Sequence, residues 1–251
     1  MTLTEFFAAH PKAALGFSGG ADSAWLLYAA VQADADVRPY YIQTAFQPAF
    51  ELADARRLCA QLGVELTVLP LDVLALPAVA ANPADRCYHC KRALFGALAA
   101  RAGADGYPLL LDGTNASDDA GDRPGMRALA ELDVRSPLRE AGLTKAEIRR
   151  LSRQAGLFTW NKPAYACLAT RVPAGQPLTA ELLARVEAAE DALRGLGYTD
   201  LRCRVWHGAA RIQLPAGQLA RAAGQAGTLR AALAPYFETV LLDLQPRPER
   251  D

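Results

Sequence analysis

The stretch GFSGGADS at 16–23 sets two adjacent glycines between serines, with an aspartate close behind, directly after the apolar residues 13–17. Ser18, Gly19, Gly20, Ala21, Asp22 and Ser23 would turn successive backbone N–H groups and a helix N-terminus toward an anion, and the serine hydroxyls add donors. Glycine suits this task because a Cβ would block close approach or an unusual backbone angle. Asp22 is the odd member: a carboxylate beside phosphate is repelled unless it caps backbone donors or holds Mg²⁺. A plain strand-to-helix turn capped by Ser18 is the alternative. Neither GxxxxGK[ST] nor GxGxxG is present here, which disfavours the nucleotide loops built on those spacings.

The thiols form a second group. Cys87 and Cys90 stand in DRCYHCK, and Cys167 follows far downstream in NKPAYACLATR. Three thiolates with an open fourth position suit a site-differentiated [4Fe-4S] cluster whose unique iron takes up sulfide. His89 would instead complete a Cys₃His zinc site, and Cys87 with Cys90 alone would make a redox dithiol. Cys59 falls in an expected helix. Cys203 alternates with Arg202 and Arg204 on an expected strand, which turns it toward the core and the two arginines to the opposite face. There they could grip a phosphate, with His207 and Arg211 nearby; a solvated edge strand is the plainer reading. Glu190 reads by itself as a surface residue or an arginine's partner.

The elements that must position these groups alternate. Helix 4–10, strand 13–17, helix 22–33, strand 37–44, helix 50–62 and strand 64–71 predict a mostly parallel sheet covered by helices. A polar stretch at 82–91 carries the CxxC pair and precedes an alanine-rich helix to about 102. Strand 107–111 then ends in DGTNASDDAGDRPG, where Asp112, Thr114, Asn115 and Asp119 would share the ligand face with 18–23 and complete a nucleotide and Mg²⁺ site, a turn or cap being the alternative role for each. Thr144 with Glu147 predicts a capped helix over 144–155. An aperiodic, aromatic-rich loop over 158–177 leads to helix 178–195, strands 201–206 and 210–214, helix 216–233 and strand 237–244. The expected fold class is α/β: a Rossmann-like nucleotide domain over 1–165 and a smaller α/β domain over 166–251.

Charge narrows the partners. The 251 residues carry 27 basic and 27 acidic side chains, so no overall field draws nucleic acid or an anionic membrane. The opening MTLTEFFAAHPKAALG lacks the apolar core of a secretion signal, and no run reaches the ~18 apolar residues of a membrane span. A soluble, cytoplasmic protein with reduced thiols is expected.

SGGADS also matches the SGGxDS pyrophosphate-loop signature, and so resembles the loops of ATP pyrophosphatases, which transfer AMP to an acceptor oxygen. With RCYHCKR, LDGTNASDD, RPGMRALAELDVRSPLREAGLTKAEIR, WNKPAYACLATRVPAG and LRCRVWHGAARI, the chain resembles the LarE family, sulfurtransferases acting on pyridinium-3,5-biscarboxylic acid mononucleotide in nickel-pincer cofactor biosynthesis. The resemblance implies an adenine-nucleotide alpha-hydrolase-like N-terminal domain, a homo-oligomer (hexameric in known members), and ATP with Mg²⁺. Each substrate carboxylate is adenylated and then converted to a thiocarboxylate. Ser18, Gly19, Gly20, Asp22, Ser23, Thr114 and Asn115 would take the nucleotide, Arg202 and Arg204 the substrate phosphate. Cys167 occupies the sulfur-delivering position and Glu190 an acidic position of the active site.

Family members with one active-site cysteine surrender its sulfur and leave dehydroalanine; those with three resemble cluster-dependent thiolation enzymes. Cys87, Cys90 and Cys167 together therefore predict a [4Fe-4S] cluster carrying an extra sulfide. Sacrificial transfer from Cys167, a related tRNA thiolase and a non-catalytic nucleotide-binding zinc protein are the alternatives.

Overall fold

The computed structural model describes residues 1–118 and 124–247. In chain order the first elements are α1 (Leu3–Ala9), β1 (Lys12–Gly16), α2 (Ala21–Gln32), β2 (Asp36–Gln43), α3 (Ala49–Leu62), β3 (Thr67–Pro70), α4 (Pro77–Ala80) and α5 (Arg86–Ala104). They are followed by β4 (Leu110–Leu111), α6 (Pro124–Glu131), α7 (Pro137–Glu140), α8 (Lys145–Gln154), α9 (Ala180–Gly195), β5 (Arg202–Trp206), β6 (Ala209–Gln213), α10 (Ala216–Gly224), α11 (Ala226–Leu233) and β7 (Val240–Leu242). The chain divides into two units, one of Met1–Val73 with Asp85–Lys162, the other of Leu74–Ala84 with the chain from Pro163 onward.

The first unit holds a four-stranded parallel sheet in the order β3-β2-β1-β4. Ala13, Ala14 and Leu15 of β1 are fully buried on both faces, which is why this strand reads as an unbroken apolar run rather than an alternation. Strand order reverses at β1, so the crevice at the carboxyl ends of β1 and β4 is where an open α/β sheet takes its ligand. Beyond β4, Arg135 bridges to Leu111 and extends the sheet edge. The expected capping box is present: Thr144 Oγ1 accepts the Glu147 N–H at 3.3 Å, while Glu147 accepts the Thr144 N–H at 2.9 Å. Helix α3 stops at Gly63, whose φ of 68° ends it in the left-handed conformation.

In the second unit β5 and β6 form an antiparallel hairpin, turned by His207 and Gly208 at positive φ, and β7 pairs parallel to β6. The segment 74–84 is tied into this unit: Asn82 Nδ2 donates to the carbonyls of Pro173 and Gln176, at 2.8 and 3.1 Å.

Three sequence expectations change. The CxxC pair lies inside the first turns of α5 rather than ahead of the helix. The single helix over 216–233 is two, broken at Gln225, whose Oε1 accepts the Tyr198 hydroxyl at 2.8 Å. The strand over 237–244 shortens to β7.

Leu15 lies at the centre of the sheet and is fully buried, so Leu15→Ala should cost about 2–5 kcal/mol, read as a lowered midpoint in urea denaturation.

Candidate active site

Strand β1 delivers the chain into a turn that only glycine fits. Gly19 has φ +69°, and a Cβ there would lie 3.2 Å from Ala55 of α3. Gly20 is the N-cap of α2, which directs the first amides of that helix into the turn. Ser18 Oγ accepts the Gly20 N–H at 3.3 Å and lies 3.2 Å from Ser23 Oγ. Ser23 Oγ also donates to the Gly20 carbonyl at 3.3 Å. Both hydroxyls thus brace the turn from within.

The loop after β4 meets this turn through backbone. A Cβ on Gly113 would come within 3.0 Å of the Ser23 nitrogen, so the two loops approach as closely as glycine permits. Buried Asp112 accepts the Thr114 N–H at 3.2 Å and the Ser136 hydroxyl at 2.6 Å, and takes the Thr114 hydroxyl as well. Asn115 Oδ1 accepts the Ser117 N–H at 2.8 Å, and Asp118 accepts the Asn115 N–H at 3.0 Å. Thr114 and Asn115, both expected at the nucleotide, therefore belong to a stiff turn beside Ser23. Asp119 lies outside the described residues. Beside Ser18, between the carboxyl ends of β1 and β2 and α5, opens a cleft of ≈ 130 Å³ whose walls include Phe17, Tyr41, Ile42, Leu94 and Phe95.

Two lysines flank the turn that sequence reasoning did not single out. Lys145 Nζ lies 2.6 Å from Asp22 Oδ2, and Lys162 Nζ lies 2.7 Å from Asp54 Oδ2 and 3.2 Å from the Gly19 carbonyl. The signal available was faint: Lys145 directly follows a helix cap, and Lys162 stands alone in the aromatic stretch WNKPAY. Lys145 also bears on the question raised by Asp22, whose carboxylate is paired with an ammonium.

The metal expectations are corrected here. Among the described residues no group of three or more His, Cys, Asp or Glu side chains is gathered to hold a metal ion. Cys87 and Cys90 are spaced one turn apart on α5, and Cys167 belongs to the second unit. His89 Nε2 lies 3.3 Å from Asp85 Oδ2. The [4Fe-4S] cluster, the Cys₃His zinc site and a preformed Mg²⁺ site at Asp22 therefore all lack a ligand set. Cys59 and Cys203 are buried as expected, and burial pushes both thiols up to about 12, which keeps them protonated.

In the second unit Cys167 opens a short 3₁₀ turn, Leu168–Arg171, and is half-buried. Its carbonyl accepts the Thr170 hydroxyl at 2.8 Å and Arg171 Nη1 at 3.3 Å, and the same Nη1 donates to the Ala166 carbonyl at 2.7 Å. The remaining Arg171 donors, Nε and Nη2, grip Glu190 at 2.8 and 3.2 Å. Glu190 is fully buried on α9 and also accepts the Tyr165 hydroxyl at 2.5 Å, Arg194 Nη2 at 3.1 Å and the Cys203 N–H at 3.0 Å. Burial alone would push its carboxyl up. The hydrogen bond and charge of Arg171, with the Tyr165 and Cys203 donors, outweigh burial and hold it below the usual glutamate range. Burial, followed by the Glu190 charge, pushes Tyr165 up.

Arg202 and Arg204 bracket the Cys167 segment. Arg202 is buried and donates to the Leu201 and Ala164 carbonyls, both at 2.7 Å. Arg204 donates to Gln213 Oε1 and the Thr170 carbonyl, both at 2.6 Å. Burial, then the neighbouring Arg171 and Arg247, pulls Arg202 down to about 10, and burial with Arg171 lowers Arg204.

Removing Arg171 would leave Glu190 buried with its strongest partner gone. Arg171→Met should cost about 3–5 kcal/mol in denaturant unfolding. Because the Glu190 carboxyl is depressed in the folded protein, its contribution is complete above the ordinary value of 4.5 and is lost as pH falls through the folded value. Unfolding free energy should therefore decline on acidification below about pH 5, and less steeply in Glu190→Gln when each protein is compared with its own value at pH 7.

No protein-family model matches the chain. It is 39% identical over 220 residues to an uncharacterised protein of Synechocystis sp., covering 86% of this chain and 81% of that one. An uncharacterised protein of Methanocaldococcus jannaschii is 27% identical over 203 residues, covering 81% and 77%. The pyridinium-3,5-bisthiocarboxylic acid mononucleotide synthase of Lactiplantibacillus plantarum is 33% identical over 210 residues, 83% of this chain and 76% of that enzyme. At that identity and coverage, the chain belongs to the family of this synthase, the LarE family that its motifs resemble.

Proposed function

We propose that this protein is an ATP-dependent sulfurtransferase that adenylates the carboxylates of pyridinium-3,5-biscarboxylic acid mononucleotide and replaces an oxygen of each with sulfur. The observation that carries the reading is the glycine-only turn at the reversal of strand order, with helix amides and two serines turned into it. The apolar cleft beside Ser18 suits a planar base. The Lactiplantibacillus relative, a pyridinium-3,5-bisthiocarboxylic acid mononucleotide synthase, supports the acceptor class.

A substrate carboxylate oxygen attacks the α-phosphorus of ATP, the bond to the bridging oxygen breaks, and pyrophosphate leaves. The carboxyl carbon, now an acyl-adenylate, accepts a sulfur nucleophile and expels AMP. Ser18, Gly19, Gly20, Asp22 and Ser23, with Thr114 and Asn115, form the phosphate side of the site. Arg202 and Arg204 orient the acceptor phosphate.

No ligand set for a cluster is gathered among the described residues, and the sulfur donor of this reading is Cys167 itself. Its thiolate forms a thioester with the acyl carbon. Loss of the Cα proton then breaks the Cβ–S bond, releasing the thiocarboxylate and leaving dehydroalanine. Glu190 acts through Arg171, which fixes the carbonyls of Ala166 and Cys167.

Purified protein with ATP and the dicarboxylate nucleotide should release pyrophosphate and yield a product in which one oxygen is exchanged for sulfur. The spent protein should lose the mass of H₂S at Cys167. Cys167→Ala should keep pyrophosphate release and lose the thio product to background. Pyrophosphate release that does not depend on the nucleotide acceptor, or a thio product from Cys167→Ala, would overturn the reading.

A further inference from the structure

Lys162 reaches the Ser18–Ser23 turn through the turn's backbone, at the Gly19 carbonyl, rather than through a side chain of α2. Its ammonium carries three N–H donors. One reaches the Gly19 carbonyl at 3.2 Å and another the Asp54 carboxylate at 2.7 Å. The ammonium also stands 5.5 Å from the centroid of the Phe50 ring, and no further oxygen or nitrogen acceptor among the described residues takes the third N–H. The side chain is 14% exposed, so its charge acts through little water. Its backbone is fixed as well: the Lys162 N–H donates to the Thr159 carbonyl at 3.1 Å, and the Lys162 carbonyl accepts Arg149 Nη2 at 3.3 Å. Lys145, by contrast, is closed onto Asp22 of α2 at 2.6 Å.

We infer that Lys162 is the residue that binds the β- and γ-phosphates of ATP and stabilises the departing pyrophosphate, with Asp54 as its positioning residue; this rests on the adenylating reading above. Lys162 Nζ is anchored on the carbonyl of Gly19, a residue of the turn whose amides would seat an oxyanion, so an ammonium stands at the edge of that seat before any ligand arrives. As the bond from the α-phosphorus to the bridging oxygen breaks, negative charge accumulates on pyrophosphate, and a pre-positioned ammonium meets it. No proton has to change hands. Asp54 holds Nζ in place before the nucleotide arrives and shares it afterwards.

The test compares ligands that differ only in the phosphates Lys162 would touch. ATP, inorganic pyrophosphate and AMP are titrated calorimetrically into the wild type, Lys162→Met and Lys162→Gln. ATP and pyrophosphate should bind about 10–100-fold more weakly to both variants, the cost of one charge-assisted hydrogen bond, while AMP stays within about twofold. Substrate-dependent pyrophosphate release should fall in kcat as well as rise in KM for ATP. If Lys162→Met fails to fold, the near-isosteric Lys162→Gln, which can still donate to the Gly19 carbonyl, carries the comparison. An equal loss for AMP would assign Lys162 a purely structural role, and unchanged ATP binding would remove it from the site; either overturns the inference. Failure of the wild type to bind ATP would instead sink the adenylating reading on which it stands.

Discussion

A fully buried carboxylate organises the second unit. Glu190 accepts five hydrogen bonds from Arg171, Tyr165, Arg194 and the Cys203 amide, drawing on a loop, its own helix and β5. Carrying such a charge out of water is costly, and only a complete donor set makes it tolerable. The consequence runs outward through Arg171. With one edge of its guanidinium taken by Glu190, the other edge reads the backbone of Ala166 and Cys167, so the conformation of the sulfur-bearing turn is set by an ion pair no solvent reaches. Arg202 and Arg204 reinforce it from the carbonyls of Ala164 and Thr170.

On the proposed reading the first unit solves the opposite problem, since its turn would have to stay open to an anion. It does so with backbone. Gly19 and Gly113 are the two positions where a side chain would either demand a forbidden angle or separate the loops after β1 and β4. The serines, which could point anywhere in an isolated turn, are used to stiffen it. Order here comes from close approach, whereas in the second unit it comes from buried charge.

Much of this was legible. The βαβ rhythm follows from unbroken apolar runs and glycine stops, the capped start of α8 from Thr144 and Glu147, and the inward face of Cys203 from strand alternation. By itself Glu190 was readable only as a surface residue or an arginine's partner, because nothing local distinguishes an acid on an exposed helix face from one that faces a buried arginine. The lysines at the turn were not readable. Lys145 and Lys162 meet their partners across 123 and 143 residues of sequence, and no periodicity carries that distance. The helical setting of the CxxC pair was missed for a related reason: polar residues flanking Asp85 imitate a loop, yet Asp85 serves as the N-cap of α5. Once the pair is seen on one helical turn, with no third ligand gathered to it among the described residues, the expectation of a cluster loses its footing.

A chain with no net charge that, on the proposed reading, handles a polyanion would have to place its cations locally. Around the Ser18–Ser23 turn it pairs them, Asp22 with Lys145 and Asp54 with Lys162. Each pair is electrically near neutral before a ligand arrives, so the turn does not repel itself. A triphosphate changes the balance, because its oxygens compete for the same ammonium groups at short range and in a partly desolvated setting. The aspartates therefore do more than tether. They lower the electrostatic cost of holding two lysines against the positive end of α2, and they hold those lysines where phosphate can share them. A turn with bare lysines would bind anions indiscriminately; one with paired lysines favours an anion that reaches the amides of the turn and the ammonium together.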